Sequence, residues 1–236
     1  MAKLKLEIKN HVAIITMDED DNKLNPDMCR SLLDMMDKVE RETEALTLVV
    51  TSAHDRIWCY GFDIDWVNGR LSEGDTEAVT QFLAIDLELR KCLLSYPLIT
   101  IAAMRGHVFG GGAVLSLCFD FRFMRLDRGF FCIPTIDRGY PLLPGTTALL
   151  LKVMPAYVVE DLVLTGRRIT GAECAAQHVV ASAHHNDELM DKVMTFAAGL
   201  NKGRQIVSEM KQVLNGGILK LMEEDVKYIQ GGKLRV

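Results

Sequence analysis

The chain has 236 residues, 49% of them hydrophobic and 25% charged, with a formal net charge of −5. That is enough apolar material for one sizeable core and excludes disordered or fibrous classes, while the acidic balance argues against nucleic acid as a partner, because phosphate binding calls for a basic face. Six cysteines (Cys29, Cys59, Cys92, Cys118, Cys132 and Cys174) form no C-x-x-C pair and sit mostly in apolar runs, which predicts reduced, buried thiols in a cytoplasmic protein rather than disulfides or a metal site.

In chain order, Met1-Ala2-Lys3-Leu4-Lys5 alternates charged with apolar residues and reads as the approach to a strand, not as a signal peptide. No run approaches a membrane span, and the terminal Lys233-Leu234-Arg235-Val236 is not a peroxisomal tripeptide. Leu4 to Ile8 and Val12 to Met17 predict two strands joined by a turn at Asn10-His11. A helix is predicted next, with Asn25 as N-cap, Pro26 in the first turn and Leu32, Leu33, Met36 and Val39 along one face. Leu46 to Thr51 returns to strand, and a second helix is predicted from about Thr76 to Ser95, ended by Pro97.

Pro97 to Met104 is apolar and rich in β-branched residues, as suits a strand buried on both faces, and is expected to run into Gly110-Gly111-Gly112 and a short buried helix over Ala113 to Cys118. Phe121 to Met124 and Gly129 to Ile133 read as further strands. Thr170-x-x-Glu173 is a capping box that starts a helix at Gly171. Leu189, Val193, Phe196, Ala197 and Leu200 form another stripe, and Ile206 to Ile229 is helical.

Two strand-then-glycine turns carry the chemical signal. In the second, the glycine triplet removes every Cβ where the first helical turn leaves backbone N–H groups unpaired, an arrangement suited to a developing negative oxygen. Such clusters also arise from close packing alone, and the triplet fits neither the phosphate-loop nor the dinucleotide spacing. The first turn is Arg56-Ile57-Trp58-Cys59-Tyr60-Gly61-Phe62-Asp63-Ile64. His107, just before the triplet, reads as a satisfied core histidine, and Cys59 as a buried inert thiol.

With both turns in view, the sequence resembles the enoyl-CoA hydratase/isomerase (crotonase) family. Trp58, Gly61 and Asp63 match its first signature; Arg105-Gly106, Gly110-Gly111-Gly112 and Cys118-Phe119-Asp120 match its second. Asp137-Arg138-Gly139-Tyr140-Pro141 and Leu162 to Ala175 look like the third and fourth blocks. Asn25-Pro26-Asp27, Trp58 to Trp66 and Phe123 to Gly129 look most like the short enoyl-CoA isomerases. The resemblance implies an α/β fold with a stacked ββα spiral core over residues 1–185 and a C-terminal helical region over 186–236. In relatives that region covers the acyl pocket and helps to build trimers or hexamers; here it ends early.

The resemblance also implies an acyl-CoA thioester substrate, coenzyme A as part of that substrate, and no prosthetic group or metal. Carried over position by position, the oxyanion donors are the N–H groups of Phe62 and Gly111, and CoA lies along Arg56, Tyr60 and Ile64. Here the chain departs from the pattern. The two positions that carry glutamate in hydratases hold Val114 and Thr135, and a third sometimes acidic position holds Leu143, so addition of water by a paired acid and base is not expected. Asp137 has an expected structural role, and Asp63 and Asp120 are expected to hold turns. Tyr140 is most simply a pocket wall, yet could orient a substrate carboxylate as in the family's decarboxylases. The resulting expectation is an isomerase-like acyl-CoA enzyme; a decarboxylase or thioesterase of the same family, an inactive CoA-binding member and a structural trimer subunit remain as alternatives.

Overall fold

A computed structural model describes residues 2–231, so the terminal Lys233 to Val236 lies outside the described residues. The chain opens with β1 (Leu4–Lys9) and β2 (Val12–Met17), an antiparallel hairpin turned at Asn10, whose φ of 56° is the left-handed value a tight turn needs. Helix α1 (Pro26–Glu42) is capped as expected: the Asn25 side chain accepts from the Met28 N–H at 3.0 Å, and Leu32, Met36 and Val39 face the core.

From β3 (Thr47–Ser52) onward the chain winds as a spiral that gives one strand to each of two sheets per turn. After β3 comes β4 (Ile57–Cys59), then α2 (Ile64–Ser72) and α3 (Thr76–Ser95); after β5 (Ile99–Met104) comes β6 (His107–Phe109), then α4 (Gly111–Leu117); after β7 (Phe121–Arg125) comes β8 (Phe130–Cys132). Strands β3, β5 and β7 pair in parallel in the larger sheet, and β4, β6 and β8 in the smaller. The strand that leads into the glycines is therefore β6, not the long apolar run, which ends at Met104 where the chain changes sheet.

That change of sheet depends on close backbone contact. A Cβ on Gly106 would lie 2.1 Å from the Arg56 carbonyl oxygen, so successive corners stack at a distance only glycine permits. Strands β2, β3 and β5 of the larger sheet are buried on both faces, which explains their nearly continuous apolar runs. Ile15, Leu48, Val50 and Ala102 face the main core, while Ile14, Val49, Ile101 and Phe123 face a second, smaller core on the other side.

Beyond β8 follow α5 (Pro144–Val153), α6 (Ala156–Thr165), β9 (Ile169–Thr170), α7 (Gly171–Ala176) and β10 (Ser182–His184). The capping box at Thr170 and Glu173 forms in full. Helix α8 (Asn186–Ala198) covers the outer face of the larger sheet through Leu189, Val193 and Ala197.

The last helix, α9 (Arg204–Gln230), is held by polar anchors as well as apolar contact. At its start the Arg204 guanidinium donates to the carbonyls of Glu40, Thr43 and Ala45, closing the end of α1. Farther along, buried Lys211 meets Asp120 at 2.8 Å, Asn215 donates to the Leu94 carbonyl at 2.6 Å, and Asp225 accepts from the Gly145 N–H at 2.9 Å. Helix α9 is thereby fixed against its own α3 and α5.

Candidate active site

The first glycine turn follows β4 and is ordered by Leu24, a fully buried residue. Leu24 donates to the Gly61 carbonyl at 2.7 Å and accepts from the Asp63 N–H at 2.8 Å. Those bonds use the neighbours of Phe62, so in a parallel bridge the Phe62 N–H faces away from Leu24. Asp63 then caps α2 by accepting from the Trp66 N–H, the turn-holding role expected of it.

The second turn follows β6. Gly110 donates to the Cys132 carbonyl at 2.9 Å and its own carbonyl accepts from Val114, which leaves Gly111 as the first residue of α4 with an N–H that has no intrahelical acceptor. The two turns touch: a Cβ on Gly61, where φ is 87°, would lie 2.6 Å from the Phe109 carbonyl oxygen and 3.0 Å from the Gly111 nitrogen. Little of the space freed by the triplet is left for a ligand. The Phe62 ring fills it at Gly111 and Cys59 fills it at Gly112, so two of the three glycines are required by packing of one turn on the other.

A cavity of about 510 Å³ opens in front of both turns. Phe62, Gly111, Thr135, Tyr140, Tyr60 and Ile64 all line it. Arg56 does not: it is exposed and stands off the wall, offering its backbone carbonyl to the His107 N–H at 2.8 Å. Arg168 does line the wall, its guanidinium 5.3 Å from the centre of the Phe109 ring. His107 is not the satisfied core residue expected, because its Nδ1 is buried without a partner while the ring stacks between Phe109 and Phe130. Burial, and then the charges of Arg56, Arg168 and Arg128, push its pKa down, so it is neutral at physiological pH. Cys59 is an inert thiol, pushed up to about 12 by burial.

The chain matches the profile of the enoyl-CoA hydratase/isomerase family over residues 7–229. It belongs to that family. Among curated relatives it is 28% identical to enoyl-CoA delta isomerase 3 of Arabidopsis thaliana over 183 residues, 77% of this chain and 76% of that one. It is 27% identical over 186 residues to the peroxisomal enoyl-CoA delta isomerase 2 of the same plant, covering 78% of each. Among solved structures, a probable enoyl-CoA hydratase from Mycobacterium tuberculosis superposes with a TM-score of 0.87 at 19% identity, covering 97% of this chain and 95% of that one. An enoyl-CoA hydratase from Bacillus halodurans gives 0.85 at 21%, over 96% and 91%. The fold is thus the crotonase-like spiral with a helical C-terminus.

Within this family frame the departures stand out. Val114, Thr135 and Leu143 all line the cavity, and none of these side chains can move a proton at neutral pH. Thr135 instead organises its loop, its carbonyl accepting from the N–H groups of Arg138 and Tyr140 at 3.1 and 3.0 Å. Asp137 also lines the cavity and packs against Gly166, where a Cβ would lie 2.5 Å from its Oδ2.

The wall also holds a pair of charges that the sequence did not single out. Asp86 and Arg90 of α3 are 2% and 5% exposed and form an ion pair at 2.6 Å. A signal was available: Phe82, Asp86 and Arg90 are spaced four apart on a helix whose inward stripe includes Phe82. No helix among the described residues is long and apolar enough to cross a membrane, and none of them form a group of three or more possible metal ligands.

Proposed function

We propose that this protein binds acyl-CoA thioesters and stabilises their enolate with the backbone N–H groups of Phe62 and Gly111, acting as an enoyl-CoA isomerase. The observation that carries this reading is the contact of the two glycine turns at the wall of one largely apolar cavity, with both N–H groups left out of the backbone network. A thioester oxygen between two such donors gains charge as the α-proton leaves, and each donor contributes on the order of a hundred- to a thousandfold in rate.

The remaining residues fit an acyl-CoA. Tyr60, Ile64 and Arg168 line the wall near the first turn, where the CoA part would lie, and the charge of Arg56 is close by. Phe62, Val67, Leu83, Leu87 and Val114 give the acyl chain an apolar path, closed on one side by Ile229 of α9, which supports a lid supplied by the chain's own C-terminal helix. Hydration is disfavoured because Val114 and Thr135 supply no acid–base pair. The cysteines are all free, in keeping with a reducing compartment such as the cytoplasm. Met210, Val213 and Leu214 stand exposed on α9, a surface suited to assembly as a homotrimer or hexamer.

The test is incubation with 3-enoyl, 2-enoyl, malonyl-type and saturated acyl-CoAs, following products and solvent deuterium by mass spectrometry. Conversion of 3-enoyl to 2-enoyl thioester is the expected result. Release of carbon dioxide would move the assignment to a decarboxylase oriented by Tyr140, and binding without turnover or exchange to an inactive family member.

A further inference from the structure

An isomerase must lift a proton from one carbon of the acyl chain and set it on another, and neither Val114 nor Thr135 can carry it. Among the residues lining the cavity, two are carboxylates, Asp86 and Asp137. They differ in setting. Asp137 is exposed on a surface loop; Asp86 is a buried residue of a long helix.

Asp86 shares the cavity wall with Phe62, Gly111 and Val114. Its Oδ2 is held by the Arg90 Nη2 at 2.6 Å, while its Oδ1 is buried with no hydrogen-bond partner, and the Arg90 Nε is unpartnered as well. Arg90 lies 5.9 Å from the centre of the Phe62 ring, and that ring abuts Gly111, so one aromatic ring separates the ion pair from the second donor turn. An ion pair kept only for stability is normally completed by further hydrogen bonds, because the uncompensated desolvation of a carboxylate oxygen is costly. This one is anchored through one oxygen and leaves the other unused.

We propose that Asp86 is the proton-carrying base of this enzyme, in place of the missing family glutamates. The inference rests on the isomerase reading above. In the first half of the reaction the C2–H bond of a 3-enoyl thioester breaks and its proton passes to Asp86 Oδ1. The electron pair moves into a dienolate whose oxygen is held by the N–H groups of Phe62 and Gly111. In the second half the dienolate collapses, C4 takes the proton back from Asp86, and the double bond moves from C3=C4 to C2=C3. Atoms and electrons balance with no oxidant or other co-reactant, and Arg90 fixes the carboxylate throughout without entering the bond changes. Arg90 is thus a positioning residue.

The experiment compares wild type with Asp86→Asn, Asp86→Glu, Asp137→Asn and the neutral pair Asp86→Asn/Arg90→Met, reading three quantities on full-length protein. These are isomerisation of a medium-chain 3-enoyl-CoA, solvent deuterium at C2, and affinity for a saturated acyl-CoA by calorimetry. The proposal expects Asp86→Asn to lose about a hundredfold or more in both isomerisation and exchange while still binding the saturated thioester. The neutral pair removes the orphaned cation, so its folded state can be verified; it too should bind and fail to exchange. Asp86→Glu, which restores a carboxylate, should recover part of the exchange.

A wild type that isomerises, with Asp86→Asn or the neutral pair exchanging at a comparable rate, overturns the assignment and leaves the isomerase reading standing. Loss of exchange in Asp137→Asn alone overturns it in favour of the exposed carboxylate. A wild type that binds the saturated thioester but neither isomerises nor exchanges any substrate overturns both readings together.

Discussion

The Phe62 ring occupies the place a side chain on Gly111 would take: a Cβ there would lie 2.8 Å from Cδ1 and Cε1 of the ring. The residue proposed to supply one oxyanion donor therefore fixes the identity of the other. Gly111→Ala keeps the N–H but pushes Phe62 aside, at about 1–3 kcal/mol for overpacking. Gly111→Pro removes the donor as well. We expect Gly111→Pro to lose about a hundredfold or more in acyl-CoA turnover relative to Gly111→Ala. The double variant Gly111→Ala/Phe62→Ala should be destabilised less than the sum of its parts, because it relieves the clash. Thermal unfolding and steady-state kinetics check both, and equal turnover in Gly111→Pro and wild type would remove Gly111 from the oxyanion hole.

Arg168 lines the cavity wall and Arg56 does not. Arg168→Ala is expected to weaken acyl-CoA binding by about tenfold, with a reduced dependence on ionic strength, since one charged contact to a phosphate is lost. Arg56→Ala should have the smaller effect. Titration calorimetry at two salt concentrations would decide, and the reverse ranking would place the CoA phosphates on the Arg56 side of the mouth.

If Asp86 carries the proton, kcat must fall as pH drops through its folded pKa. Burial pushes that pKa above the ordinary carboxylate value and Arg90 pulls it back. The groups around the pair are Asp225 of α9, which adds negative charge near Arg90, and the neutral thiols of Cys29, Cys59 and Cys118. We expect an acidic limb in the kcat profile above the usual carboxylate range, absent from the residual activity of Asp86→Asn. A limb that persists in Asp86→Asn would remove Asp86 from this role.

The buried thiols set a limit on alkaline stability. Burial pushes Cys118 and Cys174 up to about 12, whereas an unfolded thiol ionises near about 8.5. Their folded pKa values are raised, so the stabilisation is complete below the unfolded value and is lost as pH climbs from there through about 12. Each thiol contributes a slope of about 1.4 kcal/mol per pH unit inside that window. Denaturant unfolding at rising pH should show a shallower alkaline decline for Cys118→Ala/Cys174→Ala than for wild type.

Asp120 accepts from the Thr100 N–H and hydroxyl at 2.8 and 3.0 Å and from buried Lys211 at 2.8 Å, tying the start of β5 to α9. Asp120→Ala leaves the Lys211 cation buried without a counterion and should cost about 3–5 kcal/mol. Lys211→Met, which removes the cation and keeps the volume, should cost much less. Equal losses in the two variants would show that packing rather than charge holds α9 here.

Much of this protein was legible along the chain because the signals are local. Asn25 before Pro26, the Thr170–Glu173 capping box and the apolar stripe on α1 each act within a few residues, and the structure forms each one. Strands β3 and β5 of the larger sheet were equally plain, since burial on both faces leaves an almost unbroken apolar run. The paired glycine turns identified the family through residues that fix backbone geometry. What the chain order could not supply were distances between turns. Strand β6 is three residues long, too short to show a period, and is defined by its partners β4 and β8. The placement of Arg168 on the cavity wall and of Arg56 off it follows from how the two sheets meet. Along the chain Asp86 and Arg90 are a charged pair four residues apart, and only the packing of α3 against α1, α2 and α9 buries them and sets them on the wall of the cavity. Local sequence fixes which backbone groups are free; tertiary packing decides which charges lose their water and face the substrate, because desolvation is a property of everything that surrounds a group.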